Sequence, residues 1–383
     1  MARKERKTTW NAEIKAPAWK KLSASLASVF DNINKKMWAW TIKLTNEVEN
    51  VKTISTWVPS VDVALWWWIP EWRIIEIYWP ESSWKTSFCL QCAKQFQQEW
   101  EMVALIDVEQ AFSKQHCQNI WVNIDDLIYV SPSSWEQALN IVQQLAETWE
   151  VKLIILDSVA ALVPQSELDW EMWDAQMWTI ARLMWQACRK LTPILAKTWT
   201  TVIFINQIRN KIWIMFGSNE TVTWWNALKY YASQRIDVRK KWFLKEDPHN
   251  KDKVTWIEMK VKIIKNKISS PGAEVFTNFH YKGWFDSNEN VIIALIDLWV
   301  IKRSWPSYSI VVDWQEYKTM WKDKMVEMVR NWELDYNKLY EMLKKATQES
   351  DSFFNEHQDE NEEWVITEED ELMNSIWDVE SDE

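Results

Sequence analysis

Residues 79–86 read Trp-Pro-Glu-Ser-Ser-Trp-Lys-Thr and lie between an apolar segment and a segment with helical spacing. With Gly in place of both Trp, the run would be G-x-x-x-x-G-K-T, whose backbone N–H groups cradle phosphate at a helix N-terminus. A Cβ at either glycine position would intrude on that close approach. In this motif the Lys contacts the β- and γ-phosphates and the Thr holds Mg²⁺. The run therefore predicts a site for ATP and Mg²⁺ built from Trp79, Pro80, Glu81, Ser82, Ser83, Trp84, Lys85, Thr86 and Ser87.

The chain carries 33 Trp and only 3 Gly in 383 residues, whereas ordinary proteins contain roughly 7% Gly. Many Trp follow turn signals, as Trp57, Trp72 and Trp299 do, and three adjoin at residues 66–68. Such positions often need a positive φ, which suits Gly. Some bacterial lineages read the codon UGA as glycine, and translation by the standard code prints Trp there instead. We therefore interpret the sequence both as printed and with these Trp read as Gly.

Polar residues end or follow three further apolar segments. Asp157 comes about 70 residues after the phosphate motif and could order the Mg²⁺ shell. Glu109 could activate the attacking water as a general base, although a solvated loop carboxylate fits nearly as well. Gln207 could sense the γ-phosphate and pass the signal of hydrolysis to the segment that follows.

That following segment, residues 209–226, is basic and polar, with Arg209 and Lys211 among Trp or Gly. A glycine-rich basic loop beside a nucleotide site suits binding to a phosphodiester backbone. As printed, its Trp could instead stack on bases, but the same Trp pattern recurs where no nucleic acid would reach.

The elements that must position these residues alternate between strands and helices from about residue 47. Such alternation predicts an α/β fold with a mostly parallel sheet, and ligands of such sheets bind at the carboxyl ends of the strands. The predicted strands are 73–78, 102–107, 152–157 and 201–206, and the predicted helices are 22–36, 85–98, 136–147, 323–331 and 335–345.

The charge distribution and the cysteine content indicate the domain divisions and the cellular compartment. Beyond residue 345 there are fifteen Asp and Glu and no Lys or Arg, and the rest of the chain has a slight basic excess despite a net charge of −11. This predicts a disordered acidic tail. A signal sequence and a membrane span are not expected, and four Cys suggest reduced thiols in a cytoplasmic protein without a membrane partner. The predicted divisions are a basic extension with an oligomerisation helix, a core, a small α+β domain and the tail, at 1–46, 47–286, 287–345 and 346–383.

At this point the motifs resemble those of the bacterial RecA recombinases, in order and over roughly residues 22–345, with Trp at nearly every family glycine. The matching runs are Ile54-Ser-Thr-Trp57, Ala64-Leu-Trp-Trp-Trp-Ile-Pro70, Arg73 to Thr86, Asp157-Ser-Val-Ala-Ala-Leu162, Phe204-Ile-Asn-Gln-Ile-Arg209, Met215-Phe-Gly217, Asn226-Ala-Leu-Lys-Tyr-Tyr-Ala-Ser233 and Lys265-Asn-Lys-Ile268.

The resemblance implies a RecA-type phosphate-loop ATPase core that forms a homo-oligomeric helical filament on single-stranded DNA, pairs it with double-stranded DNA and exchanges strands. It also implies that the filament promotes self-cleavage of an SOS repressor of the LexA type. Carried over by position, Lys85 and Thr86 bind ATP and Mg²⁺, Glu109 is the catalytic carboxylate, and Gln207 senses the γ-phosphate. Lys265 and Lys267 would reach the ATP of a neighbouring subunit, and Tyr230 would lie at the subunit interface. The implied DNA contacts are Met177, Arg182, Arg189, Arg209, Lys211, Phe216 and Asn226.

The sequence departs from the family where adenine would bind, because His116 replaces a Tyr and Ser113 an Asp. In the small C-terminal domain, Lys302, Arg303, Lys322 and Lys324 could gather duplex DNA or form a solvated face. If the Trp are genuine, Trp79 and Trp84 would block the nucleotide and leave a non-enzymatic DNA-binding scaffold. A ring helicase or a clock-type kinase of the same core fold would need a different second loop.

Overall fold

A computed structural model describes residues 24–36, 51–66, 68–79, 84–161, 163, 177–210, 220–222, 226–245, 254–280 and 284–357. The chain divides into two compact units, residues 1–52 and residues 53–383. In the first unit, helix α1 (Ala24–Lys36) covers most of the predicted helix 22–36. Its Leu26 and Val29 side chains are about half exposed. The tail beyond residue 357 lies outside the described residues.

The second unit is built on a large, mostly parallel sheet with the strand order β12-β11-β10-β9-β3-β7-β6-β4-β5, and β8 pairs with β7. Its strands are β3 (Ile74–Trp79), β4 (Met102–Asp107), β5 (Leu127–Val130), β6 (Val151–Asp157), β7 (Thr201–Asn210), β8 (Glu220–Val222), β9 (Gln234–Lys245), β10 (Val254–Asn266), β11 (Glu274–His280) and β12 (Trp284–Phe285). Strands from β9 to β5 run parallel, whereas β9 to β12 are antiparallel. A short pair, β1 (Thr53–Ile54) and β2 (Ile69–Pro70), precedes the large sheet.

Helices cover both faces of this sheet because its central strands are apolar on both sides. One face packs against α2, α3 and α4, and the other against α5, α6 and α7. The helices are α2 (Pro59–Ala64), α3 (Trp84–Gln98), α4 (Lys114–Asn119), α5 (Trp135–Glu147), α6 (Met177–Thr198) and α7 (Asn226–Tyr231). The predicted α/β class is therefore confirmed.

The C-terminal part has a hydrophobic core of its own, to which Val291, Leu295 and Leu339 contribute. Its elements are α8 (Ser287–Asp297), β13 (Lys302–Ser304), β14 (Ser307–Val312), β15 (Gln315–Thr319), α9 (Lys322–Arg330) and α10 (Tyr336–His357). The three strands form a small antiparallel sheet, which together with the helices fits the predicted α+β class. The sequence pattern predicts ranges for two of these helices but for none of the strands. Helix α10 also continues to His357, beyond the predicted start of the tail at residue 346.

Among the residues that the structure describes, no helix combines the length and apolarity that crossing a membrane requires.

Candidate nucleotide and DNA site

The predicted chemical residues meet because their strands are parallel neighbours. Strands β7, β6 and β4 lie side by side in that order, and the carboxyl ends of parallel strands share one edge of the sheet. Gln207 lies in β7, Asp157 ends β6, and Glu109 follows β4. Residues far apart in the chain therefore converge on one small region next to the start of α3.

Thr86 and Asp157 form the first contact in this region. The Thr86 Oγ1 hydroxyl donates a hydrogen bond to Asp157 Oδ2 across 71 residues of chain. Asp157 is buried, with 6% of its surface exposed. A hydroxyl and a carboxylate are hard oxygen ligands of the kind that Mg²⁺ takes beside a nucleotide phosphate. The donor set therefore fits the predicted metal.

Glu109, Ser158 and Gln207 form a second cluster beside the first. Gln207 donates from Nε2 to Glu109 Oε1 at 2.7 Å, and the Ser158 hydroxyl donates to the same oxygen. Gln207 Nε2 also lies 3.5 Å from Ser158 Oγ. The Glu109 residue is exposed, so its carboxylate is accessible to water. Sequence reasoning missed Ser158, whose only signal is that it directly follows Asp157.

The phosphate motif is described only in part. Helix α3 begins at Trp84 and strand β3 ends at Trp79, so the motif has the predicted strand and helix on either side. Pro80, Glu81, Ser82 and Ser83 lie outside the described residues, as do the side chains of Trp79, Trp84 and Lys85.

His116 packs against the first turn of α3, one residue beyond the Thr that contacts Asp157. Its Nε2 lies 2.7 Å from Ser87 Oγ, and its backbone N–H donates to Ser113 Oγ, which caps α4. Burial lowers the pKa of His116 below its usual value. A neutral imidazole beside the phosphate motif is compatible with contact to a nucleotide base.

Within the single chain, Lys265 and Lys267 donate hydrogen bonds to α7. Lys265 Nζ donates to the carbonyls of Lys229 and Tyr230 at 2.6 and 3.0 Å, and Lys267 Nζ donates to the Tyr230 carbonyl at 3.1 Å. Both ammonium groups thus bind the carboxyl end of α7, where cations are favoured. Within the subunit, the structure does not bring either lysine to Glu109.

Of the predicted DNA contacts, Arg182 and Arg189 are described with their side chains. Both are exposed and lie two turns apart on one side of α6. The side chains of Met177, Arg209 and Asn226, and the residues Lys211 and Phe216, lie outside the described part of the structure.

The basic residues of the C-terminal part have different surroundings. Lys302 and Lys324 are exposed, and the Arg303 guanidinium lies over the rings of Trp305 and Tyr308. Lys322 instead forms an ion pair with Glu289 at 2.6 Å.

The parallel sheet, the helix that follows the phosphate motif and the converging strand ends define a phosphate-loop α/β protein. Comparison with known proteins narrows this class. The family model of the RecA N-terminal domain matches residues 24–285. Protein RecA of Rickettsia bellii (strain RML369-C) is 43% identical over 265 residues, which cover 68% of this chain and 76% of the relative.

Two other similar proteins carry the same family name. Protein RecA of Cytophaga hutchinsonii is 39% identical over 297 residues, which cover 76% of this chain and 82% of that protein. Protein RecA 2 of Myxococcus xanthus is 44% identical over 249 residues, covering 65% of this chain and 68% of the relative. The chain therefore belongs to the RecA family, which consists of ATP- and DNA-binding proteins of recombination and repair.

Proposed function

We propose that this chain is a DNA-dependent ATPase that forms a helical filament on single-stranded DNA. In this proposal Lys85 and Thr86 bind ATP and Mg²⁺, Asp157 orders the metal shell, Glu109 activates the attacking water, and Gln207 senses the γ-phosphate. The cluster at the strand ends carries the proposal, because Gln207 and Ser158 both donate to one oxygen of Glu109. These bonds fix a carboxylate where a water attacking a phosphate at the start of α3 would need a base.

We further propose that the functional chain has Gly where Trp is printed. In the described part of the structure, thirteen residues other than Gly have positive φ, and eleven of them are Trp. They are Trp57, Trp66, Trp68, Trp72, Trp100, Trp121, Trp149, Trp199, Trp299, Trp314 and Trp332. A left-handed backbone costs a residue with a Cβ roughly 1–2 kcal/mol. Eleven such residues would together cost roughly 11–22 kcal/mol, which reaches or exceeds the whole stability of a typical domain, roughly 5–15 kcal/mol.

The ends of the helices support the same proposal. A Trp with positive φ lies just past the carboxyl ends of α2, α3, α4, α5, α6, α8 and α9. This is the position where helices most often carry Gly, since the left-handed conformation lets N–H groups reach the last free carbonyls. At Trp299, for example, the following Val300 N–H donates to the Leu295 carbonyl at 3.0 Å.

Assembly would complete the catalytic site. Lys265 and Lys267 donate to backbone carbonyls of α7 within their own subunit, and exposed apolar residues adjoin them in the chain or in these contacts. Tyr230, Ile264 and Ile268 are each 37–47% exposed. An apolar surface around two lysines suits a contact with a second copy, whose ATP phosphates would take the ammonium groups.

The DNA-directed roles follow from the same proposal. Residues 177–189 and 209–226 would contact single-stranded DNA, and the basic residues of the C-terminal domain would gather double-stranded DNA. The filament would then exchange strands and promote self-cleavage of a LexA-type repressor. We keep the divisions at 1–46, 47–286 and 287–345 as part of this proposal, with the acidic residues that follow as a tail that competes for the basic surfaces.

The test is ATP turnover with and without single-stranded DNA over a range of protein concentrations. It uses the glycine-read chain, in which Gly replaces every Trp. We expect turnover that requires DNA and rises more than proportionally with protein concentration, because each site needs a neighbour. Turnover that is independent of both DNA and protein concentration would refute the proposal. DNA binding without ATP binding by the glycine-read chain would favour the scaffold alternative.

A further inference from the structure

A buried polar cluster lies beneath the proposed catalytic residues, on the sheet face that α6 and α7 cover. It consists of Glu76 in β3, Asn206 in β7 and Arg235 in β9, and we call these three residues the buried relay. Glu76 and Asn206 are fully buried, and Arg235 is 7% exposed. Burial of three polar side chains in an apolar core is costly unless their polar groups are paired.

The relay is fully connected at its carboxylate. Arg235 Nε donates to Glu76 Oε2 at 2.6 Å, and Asn206 Nδ2 donates to Glu76 Oε1 at 2.9 Å. The amide oxygen of Asn206 then accepts from the backbone N–H of Gln207 at 2.9 Å. One end of the relay thus fixes the residue whose side chain contacts Glu109.

The other end of the relay reaches the lysines proposed to act on a neighbour. Arg235 is the direct cross-strand partner of Lys265 on β10. Burial lowers the pKa of Lys265 to about 8, repulsion from Lys267 and Arg235 acts in the same direction, and Glu76 opposes it. The charges of Glu76 and Arg235 therefore shift the pKa of Lys265. The hydrogen bonds connect Glu76 through Asn206 to the backbone of Gln207.

We propose that Glu76, Asn206 and Arg235 are positioning residues that couple the γ-phosphate contact of Gln207 to the placement of Lys265 in the adjoining subunit's site. This inference rests on the proposed function and adds a route between two ATP sites. When Gln207 shifts as the γ-phosphate is bound or released, the neighbouring backbone of Asn206 moves as well. This movement changes the hydrogen bond between Asn206 Nδ2 and Glu76 Oε1. Arg235 follows the carboxylate, and Lys265 lies beside it on the next strand.

The experiment uses two substitutions in the glycine-read chain. The first reverses the direction of the hydrogen bond between residues 76 and 206, and the second restores an acceptor for the Gln207 N–H. In Glu76→Gln, the new side chain has only one acceptor and must turn an N–H toward Asn206 if it keeps Arg235. Asn206 then has to present its oxygen to position 76 and loses the Gln207 N–H. In the double variant with Asn206→Asp, the carboxylate at 206 accepts from both sides, and the charge that pairs with Arg235 stays in the cluster.

We expect Glu76→Gln to lower kcat of DNA-stimulated ATP hydrolysis about tenfold, with KM for ATP changed less than about twofold. Asn206→Asp alone should show the same defect, because it sets a second carboxylate against Glu76, and it provides a second test should the first variant fold poorly. The double variant should recover most of the lost kcat. Glu274→Gln, which breaks a surface ion pair with Lys260, is the matched control and should not change kcat.

Unchanged kcat in either folded single variant would overturn the relay. So would a folded double variant no more active than the single variants. The parent chain measured in the same assay separates the two proposals. A parent that DNA does not stimulate would overturn the proposed function and the relay with it, whereas a stimulated parent with equally active variants would overturn the relay alone.

Discussion

The exposed Trp with positive φ provide a direct stability test of the glycine proposal. Trp100, Trp299, Trp314 and Trp332 are 81–100% exposed and have φ between 60° and 68°. Since their side chains bury almost nothing, replacing them with Gly forfeits almost no packing. Release of left-handed strain should gain roughly 1–2 kcal/mol at each position, and the greater freedom of Gly in the unfolded chain should return about 0.5–1 kcal/mol.

The expected net gain is thus about 0.5–1 kcal/mol for each substitution. The four positions are far apart in the sequence and belong to different turns, so their effects should add to about 2–4 kcal/mol. The assay is urea unfolding of the chain as printed and of the variant with all four Trp→Gly substitutions. We expect the midpoint to rise while the slope stays constant, which indicates a change in stability alone.

Trp185→Gly is the matched control because this Trp lies inside α6, where φ is helical. There Gly should destabilise by about 1 kcal/mol through helix propensity, and the ring contacts with Tyr230 and Tyr231 are lost as well. A fourfold variant that is no more stable than the printed chain would refute the reasoning. So would a control that is stabilised to the same extent.

Three further predictions concern the site and its surroundings. Glu109→Gln should lower kcat of ATP hydrolysis by about 10²–10⁴-fold through loss of the general base. The control Glu150→Gln, at an exposed position, should leave the rate unchanged. Equal rates for the parent and both variants would exclude Glu109 as the base. Burial lowers the pKa of Lys265 to about 8, so ATP turnover should fall as the pH rises through about 8. Lys265→Arg should move this fall to higher pH because Arg stays charged. Coincident pH profiles of the parent and the variant would contradict a charge-dependent role of Lys265. Burial raises the pKa of Asp62 to about 6, above roughly 3.9 in the unfolded chain, so the folded chain binds this proton more tightly and loses stability as the pH rises from about 4 through 6. Urea unfolding at pH 4.5 and 7 should show a smaller loss of stability in Asp62→Asn than in the parent chain. An equal loss would show that Asp62 is not the group responsible.

The proposed catalytic cluster was largely predictable because its residues end or follow strongly apolar segments. Asp157, Glu109 and Gln207 each have such a segment before them, and parallel pairing necessarily brings those ends together. Ser158 was not predictable, since a single Ser after an Asp carries no periodic signal. The binding of Lys265 to the carboxyl end of α7 joins residues 35 positions apart and depends on how β10 packs.

The α+β class of the C-terminal domain was predicted, but its individual strands were not, for a different reason. Strands β14 and β15 join through Asp313 and Trp314, which have φ of 51° and 68°. Such a two-residue turn favours Asp-Gly, the strongest short-range signal for a hairpin. Trp at 314 hides this signal in the sequence as printed, although the backbone retains the turn, and the signal returns only when Trp314 is read as Gly.

The measurement that bears most directly on the proposed ATPase is peptide mass spectrometry of the protein made by its own cells, over residues 74–85. We expect the mass of Gly at positions 79 and 84, where backbone N–H groups must close around phosphate. The mass of Trp at both positions would contradict the proposed ATPase, because the phosphate motif could not then admit ATP.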